Sequence, residues 1–74
     1  MAHQTLITIE HLDGRRQGVV ATPRGYLSTN PNGTAHRISV SAVRNRLDEF
    51  DDLCNEGQAR LVEIDDNTVA ELRR

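Results

Sequence analysis

Apolar and polar residues alternate along the first forty positions, and the period then lengthens to three or four. Thr5-Leu-Ile-Thr-Ile-Glu-His-Leu12 is β-branched and apolar, the make-up of a half-buried strand. Asp13-Gly14 follows at once, and this dipeptide between two such runs signals a two-residue type I′ hairpin turn, in which both central residues need φ > 0. The partner strand is Arg16 to Ala21. With Leu12 opposite Arg15, Ile9 faces Gly18, Thr8 faces Val19 and Ile7 faces Val20, so Ile7, Ile9 and Val20 are expected to share one apolar face. Leu6, Thr8, Glu10 and Val19 would form a mixed face.

Thr22-Pro-Arg-Gly25 reads as a second turn, with proline pre-setting φ at its second position. A short strand, Tyr26 to Thr29, leads to Asn30-Pro-Asn-Gly33, four turn-forming residues in succession. Thr34 to Val40 is expected to return as a fourth strand, with Ala35, Arg37 and Ser39 on one side and His36, Ile38 and Val40 on the other.

The helical period begins at Val40 and continues through Val43, Leu47, Phe50 and Cys54, with Leu53 beside them. Ser39 or Ser41 is a suitable N-cap and Gly57 a suitable C′ residue, which predicts a helix over 40–56. Ala59 to Ile64 is a further strand with Leu61, Val62 and Ile64 apolar. Asp65-Asp66-Asn67 forms a turn able to cap a last short helix, Thr68 to Arg73, with Val69 and Leu72 turned inward. The order β-β-β-β-α-β, with a short C-terminal helix, predicts one α+β domain over residues 1–74: an antiparallel meander of four to five strands with one main helix on one face.

A chain of 74 residues buries only ~60% of the surface its unfolded state exposes. One such core leaves ~3–5 kcal/mol of net stability, which is too little scaffold for an enclosed substrate pocket or a doubly wound nucleotide-binding fold. Cys54 is the single cysteine, so no disulfide framework and no cysteine-based zinc cluster is encoded. His3, His11 and His36 lack metal-ligand spacing, and no glycine-rich phosphate loop or nucleophile elbow occurs. The expectation is a non-enzymatic protein without catalytic, metal or cofactor-binding residues. No apolar run approaches a membrane span, and the start lacks the basic and apolar regions of a signal peptide, so a cytoplasmic location is expected. Cys54 lies on the apolar helix stripe, where it is read as a small core residue.

Charge is uneven. Residues 1–37 set four arginines against Glu10 and Asp13, whereas residues 38–74 set five arginines against nine acids. All nine basic residues are arginine, the planar donor suited to carboxylates and phosphates. In the helix, Asp48, Glu49, Asp51, Asp52 and Glu56 crowd the second half while Arg44 and Arg46 lie in the first. The helix dipole favours the opposite arrangement by ~0.3–1 kcal/mol per charge, and the Arg44–Asp48 i,i+4 pair runs in the weaker order. A local rule broken in a marginal domain points to function. These five acids are therefore the candidate docking surface for a protein partner with a basic surface. Small stand-alone inhibitors of the kind phages and mobile elements use against host complexes offer an analogy.

Residues 38–47, Ile-Ser-Val-Ser-Ala-Val-Arg-Asn-Arg-Leu, resemble the recognition helix of helix-turn-helix regulators. That resemblance implies a DNA-binding alternative using Arg37, Arg44 and Arg46, to which the hairpin arginines Arg15 and Arg16 would add phosphate contacts as a β-ribbon edge. The preceding Asn30-Pro-Asn-Gly-Thr34 departs from the pattern, since it cannot form the supporting helix, and the acids after Leu47 would repel phosphate. Nucleic acid is the lesser expectation. A homodimer, or a place in a homo-oligomeric assembly, is a third reading, because a meander leaves unpaired edge strands.

Overall fold

A computed structural model describes residues 3–74. Its elements are β1 (Gln4–His11), β2 (Arg16–Thr22), β3 (Gly25–Thr29), β4 (Ala35–Ile38), α1 (Val40–Asn55), β5 (Ala59–Ile64) and α2 (Asp66–Leu72). The strands form one five-stranded sheet in the order β4-β3-β2-β1-β5, with every neighbouring pair antiparallel. The first four strands are the expected meander. The fifth pairs with the first, so the chain crosses from one edge of the sheet to the other.

Helix α1 makes that crossing. Four inter-strand steps span ~19 Å, and a helix of 16 residues spans ~24 Å, so one helix suffices to bridge the sheet. It touches β3 and β5, and α2 packs against both β1 and α1. The shortest molecular dimension, 18 Å, accommodates two layers. All helices lie on one face. The core there is Leu6, Ile7, Ile9, Val19, Val43, Leu47, Phe50, Ala59 and Val69, with Ala21, Tyr26, Ile38, Leu53, Cys54, Ile64 and Leu72 around it.

The β1–β2 hairpin differs from the sequence expectation by one residue. The His11 N–H donates to the Arg15 carbonyl at 2.8 Å and the Gly14 N–H to the His11 carbonyl at 2.9 Å, leaving Leu12, Asp13 and Gly14 as a three-residue loop. Only Gly14 has positive φ (89°), so the loop is not type I′ but a turn followed by a glycine bulge. Ile7 consequently pairs with Val19, Thr8 with Gly18 and Ile9 with Gln17. Val19, not Val20, joins Ile7 and Ile9 in the core. A second bulge between Thr5 and Ile7 inserts Leu6, which is why Leu6 and Ile7 are both buried although consecutive.

The β3–β4 loop repeats the same construction. The Asn30 N–H donates to Thr34 at 2.8 Å and the Gly33 N–H to Asn30 at 3.0 Å, and Gly33 has φ 88°. Asp13 Oδ1 accepts from the Arg15 N–H, and Asn32 Oδ1 accepts from the Thr34 N–H, each at 3.0 Å. Two unrelated tripeptides, Leu12-Asp13-Gly14 and Pro31-Asn32-Gly33, thus share one hydrogen-bond plan.

Strand β4 ends at Ile38, two residues before the expected Val40, because Ser39 turns the chain into α1. Ser39 Oγ accepts from the Ala42 N–H at 3.2 Å, the N-cap bond expected of one of the two serines. Val40 therefore starts the helix and is exposed, although the stripe was expected to begin with it. At the other end, Gln58 N–H donates to Leu53 and Gly57 N–H to Cys54, with Gly57 at φ 76°, a Schellman closure. In β5, Ala59 is buried and Ile64 half-buried while Leu61 and Val62 are exposed, because this strand has a neighbour on one side alone and bulges against β1 between Thr8 and Ile9. Asp65 caps α2 by accepting from the Thr68 N–H at 3.2 Å, while its own N–H donates to the Leu6 carbonyl at 2.8 Å. The Thr68 N–H is the main reason the Asp65 carboxyl titrates below its ordinary value, with the Thr68 hydroxyl and Gln4 adding to it.

Candidate functional site

The stripe of Val43, Leu47 and Phe50 against the sheet fixes which side of α1 meets water. Asp48, Glu49, Asp51, Asp52 and Glu56 are all exposed. The structure divides them into two groups. Glu49 is held by Arg46 at 3.1 Å, a pair three residues apart on the helix. Asp51 is held by Arg73 at 2.7 Å, and Arg73 follows α2, 22 positions further along the chain. Asp48, Asp52 and Glu56 are in no ion pair among the described residues. They stand four residues apart in sequence, so Asp48 and Asp52 share one face of the helix and Glu56, its C-cap residue with αR backbone, extends the row to ~12 Å at 1.5 Å per residue. Like charges at this spacing destabilise a helix by ~0.2–0.5 kcal/mol per pair.

Arg44 does not reach Asp48. Its Nε donates to the Leu72 carbonyl at 2.7 Å, satisfying one of the carbonyls left open at the end of α2. Arg44 and Arg73 together clamp α2 onto α1. Arg73 and this use of Arg44 were not legible in the sequence, because both partners lie more than 20 positions away.

The arginines of the sheet are also spoken for, with two exceptions. Arg15 pairs with Asp13 at 3.0 Å. Glu10, on β1, lies between Arg16 of β2 at 3.3 Å and Arg60 of β5 at 2.7 Å, forming a row of three charges across three strands. Arg60 first, and Arg16 second, hold the Glu10 carboxyl below its ordinary range. Arg37 and Arg24 remain. Register places Arg37 opposite Leu27, on the sheet face away from the helices, where it and Arg24 border a shallow depression.

The histidines are apart from one another. His11 shares a hydrogen bond with Gln17 at 2.9 Å, and His36 lies 3.4 Å from the Asn30 amide. Cys54 is half-buried on the core side of α1. Among the described residues no three histidine, cysteine or acidic side chains are grouped to hold a metal ion, and no helix is long and apolar enough to cross a membrane. Of residues 38–47, Ile38 ends β4, Ser39 caps α1 and 40–47 form its first half, so a strand precedes the helix where a helix-turn-helix would carry its supporting helix. No protein-family model matches the chain, and no curated protein or solved structure is significantly similar to it.

Proposed function

We propose that this protein is a non-enzymatic binding module that docks on a basic surface of a partner protein through the outer face of α1. Asp48, Asp52 and Glu56 make the charged contacts, with Glu49 and Asp51 at their flanks. The observation that carries this reading is the unpaired row of three carboxylates. The chain supplies arginines to neutralise Glu49 and Asp51, yet leaves the row uncompensated in the half of the helix where the dipole already disfavours anions. A domain of this size acts by occupying a surface, as an inhibitor or regulator of the complex it sits on. The DNA-contact alternative is less well supported. Of its five arginines, Arg15, Arg16 and Arg46 are ion-paired and Arg44 is committed to Leu72, which leaves Arg37 alone.

The test is the triple variant D48N/D52N/E56Q, compared with wild type for capture of protein from nuclease-treated extract of the native host. Wild type is expected to retain a basic protein whose association slows as salt rises, because charges at an interface rim govern encounter more than residence. The variant, folded by circular dichroism, is expected to lose most of that capture. Full capture by the folded variant would end the proposal.

A further inference from the structure

We propose that the open face of the sheet carries a binding site for a nucleoside monophosphate, or a closely similar phosphate monoester on a flat ring, between Arg24 and Arg37. The site is the depression of about 320 Å³ bordered by His3, Thr22, Pro23, Arg24, Leu27 and Arg37. Its volume lies at the small end of the ~300–1,000 Å³ range of metabolite sites. It is independent of the acidic face of α1, which lies on the other side of the sheet.

Three observations carry the assignment. First, the chain has 11 acidic residues, and none borders this depression. Second, Arg24 and Arg37 are two of three arginines whose guanidinium makes no hydrogen bond or ion pair among the described residues, the third being the terminal Arg74; the other six are held by carboxylates or by the Leu72 carbonyl. Two free guanidiniums at one depression match a dianionic phosphate monoester, for which each offers a planar pair of donors. Third, both are carried on ordered backbone. Thr22 and Gly25 close the two-residue turn that presents Arg24, with the Thr22 hydroxyl donating to the Gly25 carbonyl at 3.0 Å and accepting from the Arg24 N–H at 3.2 Å. Arg37 is fixed by the β3–β4 ladder opposite Leu27. Leu27 and Pro23 give the site its apolar surface, on which a base or sugar ring can rest while the phosphate meets the arginines.

The surroundings favour a single phosphate ester over a nucleic-acid strand. A strand needs a continuous basic track for its backbone. Across the same face the next arginines, Arg16 and Arg60, are both neutralised by Glu10, so the positive region stops at this depression.

The experiment is a titration followed through backbone amide NMR signals, using AMP, adenosine, inorganic phosphate and a single-stranded oligothymidylate in low salt. AMP is expected to give saturable shifts confined to His3 and its neighbour Gln4, residues 22–27 and residues 35–38. Adenosine and inorganic phosphate are each expected to bind more weakly than AMP, and R24Q and R37Q to weaken AMP about tenfold apiece, the size of a lost charge-assisted hydrogen bond. The D48N/D52N/E56Q variant is expected to bind AMP as wild type does, which separates this proposal from the docking of α1. No saturable shift with AMP at millimolar concentration, equal binding of adenosine, phosphate bound as tightly as AMP, or full binding by a folded R24Q/R37Q protein would overturn it. Oligothymidylate bound more tightly per phosphate than AMP would overturn it in favour of a nucleic-acid surface.

Discussion

Under α1, Ile7, Ile9 and Val19 are sealed from water together with the helix residues Val43, Leu47 and Phe50. On the opposite face of the same sheet lie Thr8, Glu10, Arg16 and Gly18, in the alternate positions of β1 and β2, and Arg37 of β4. The first face is held by apolar burial and tolerates little loss of volume. The second is held by cross-strand charge pairs and by close backbone approach, so its failures are of other kinds. One sheet thus separates the apolar face that seats the helices from the face that carries its charged and polar residues.

The largest effects should come from the covered face. Phe50→Ala is expected to cost ~3–5 kcal/mol and Leu47→Ala ~2–5 kcal/mol, as much as the whole stability of ~3–5 kcal/mol expected of a single small core. Chemical denaturation followed by circular dichroism should find both variants largely unfolded in buffer. A small shift in midpoint for either would mean that α1 does not seat on the sheet in this phase.

Next comes the point on the open face where packing is as strict as in the core. Gly18 sits opposite Thr8, just after the Leu6 bulge, and a Cβ there would lie 2.2 Å from the Ile7 carbonyl oxygen. Strands must move apart to admit it, so Gly18→Ala is expected to cost ~1–3 kcal/mol by overpacking. The control is Gly14→Ala, where φ is 89° but nothing lies within 4 Å; its penalty is the backbone term alone, ~1 kcal/mol. Equal midpoints for the two variants would show that the strand approach at Gly18 is not tight.

The covered face also holds one polar misfit. Ser28 is fully buried, and its hydroxyl has no hydrogen-bond partner among the described residues. Ser28→Ala removes an unsatisfied group at almost constant volume and is expected to stabilise by ~1 kcal/mol. A loss of stability would reveal a partner for that hydroxyl in solution.

The smallest effects belong to two carboxylates, Glu10 in the ion row of the open face and Asp65 at the cap of α2, and are best read through pH. The Glu10 and Asp65 carboxyls titrate below their ordinary values of 4.5 and 3.8. The unfolded chain therefore binds protons before the folded one does. Their contribution is complete above the ordinary values and is lost as pH falls through the lowered ones. Glu10→Gln and Asp65→Asn should each lower the melting temperature slightly at neutrality, where the contribution is present, and change it little below the lowered values, so that the fall of melting temperature on acidification below about pH 4.5 is flatter than in wild type. An unchanged acid profile in both would show that neither carboxylate is held as described.

The elements were legible in the sequence wherever local chemistry dictates them. The boundaries of β5 follow from Ala59 to Ile64, the caps of α1 from Ser39 and Gly57, and the meander from three turn motifs. Register was not legible, because Asp13-Gly14 is compatible with a two-residue and a three-residue loop, and one residue decides whether Val19 or Val20 enters the core. The five acids of α1 were legible as a cluster. Their division into a free row and a neutralised pair was not, since Asp51 is neutralised from α2.

What the sequence alone determined is whatever depends on neighbours in the chain: the period of each segment, the turns, the caps and the imbalance of charge between the halves. What tertiary structure decided is whatever depends on distant partners. It set β5 beside β1 and brought Arg73 to Asp51, Arg44 to Leu72, and Arg24 and Arg37 to one depression. The physical reason is range. Propensity and capping act within a few residues, whereas burial and ion pairing act between surfaces that meet only once α1 has carried the chain across the sheet.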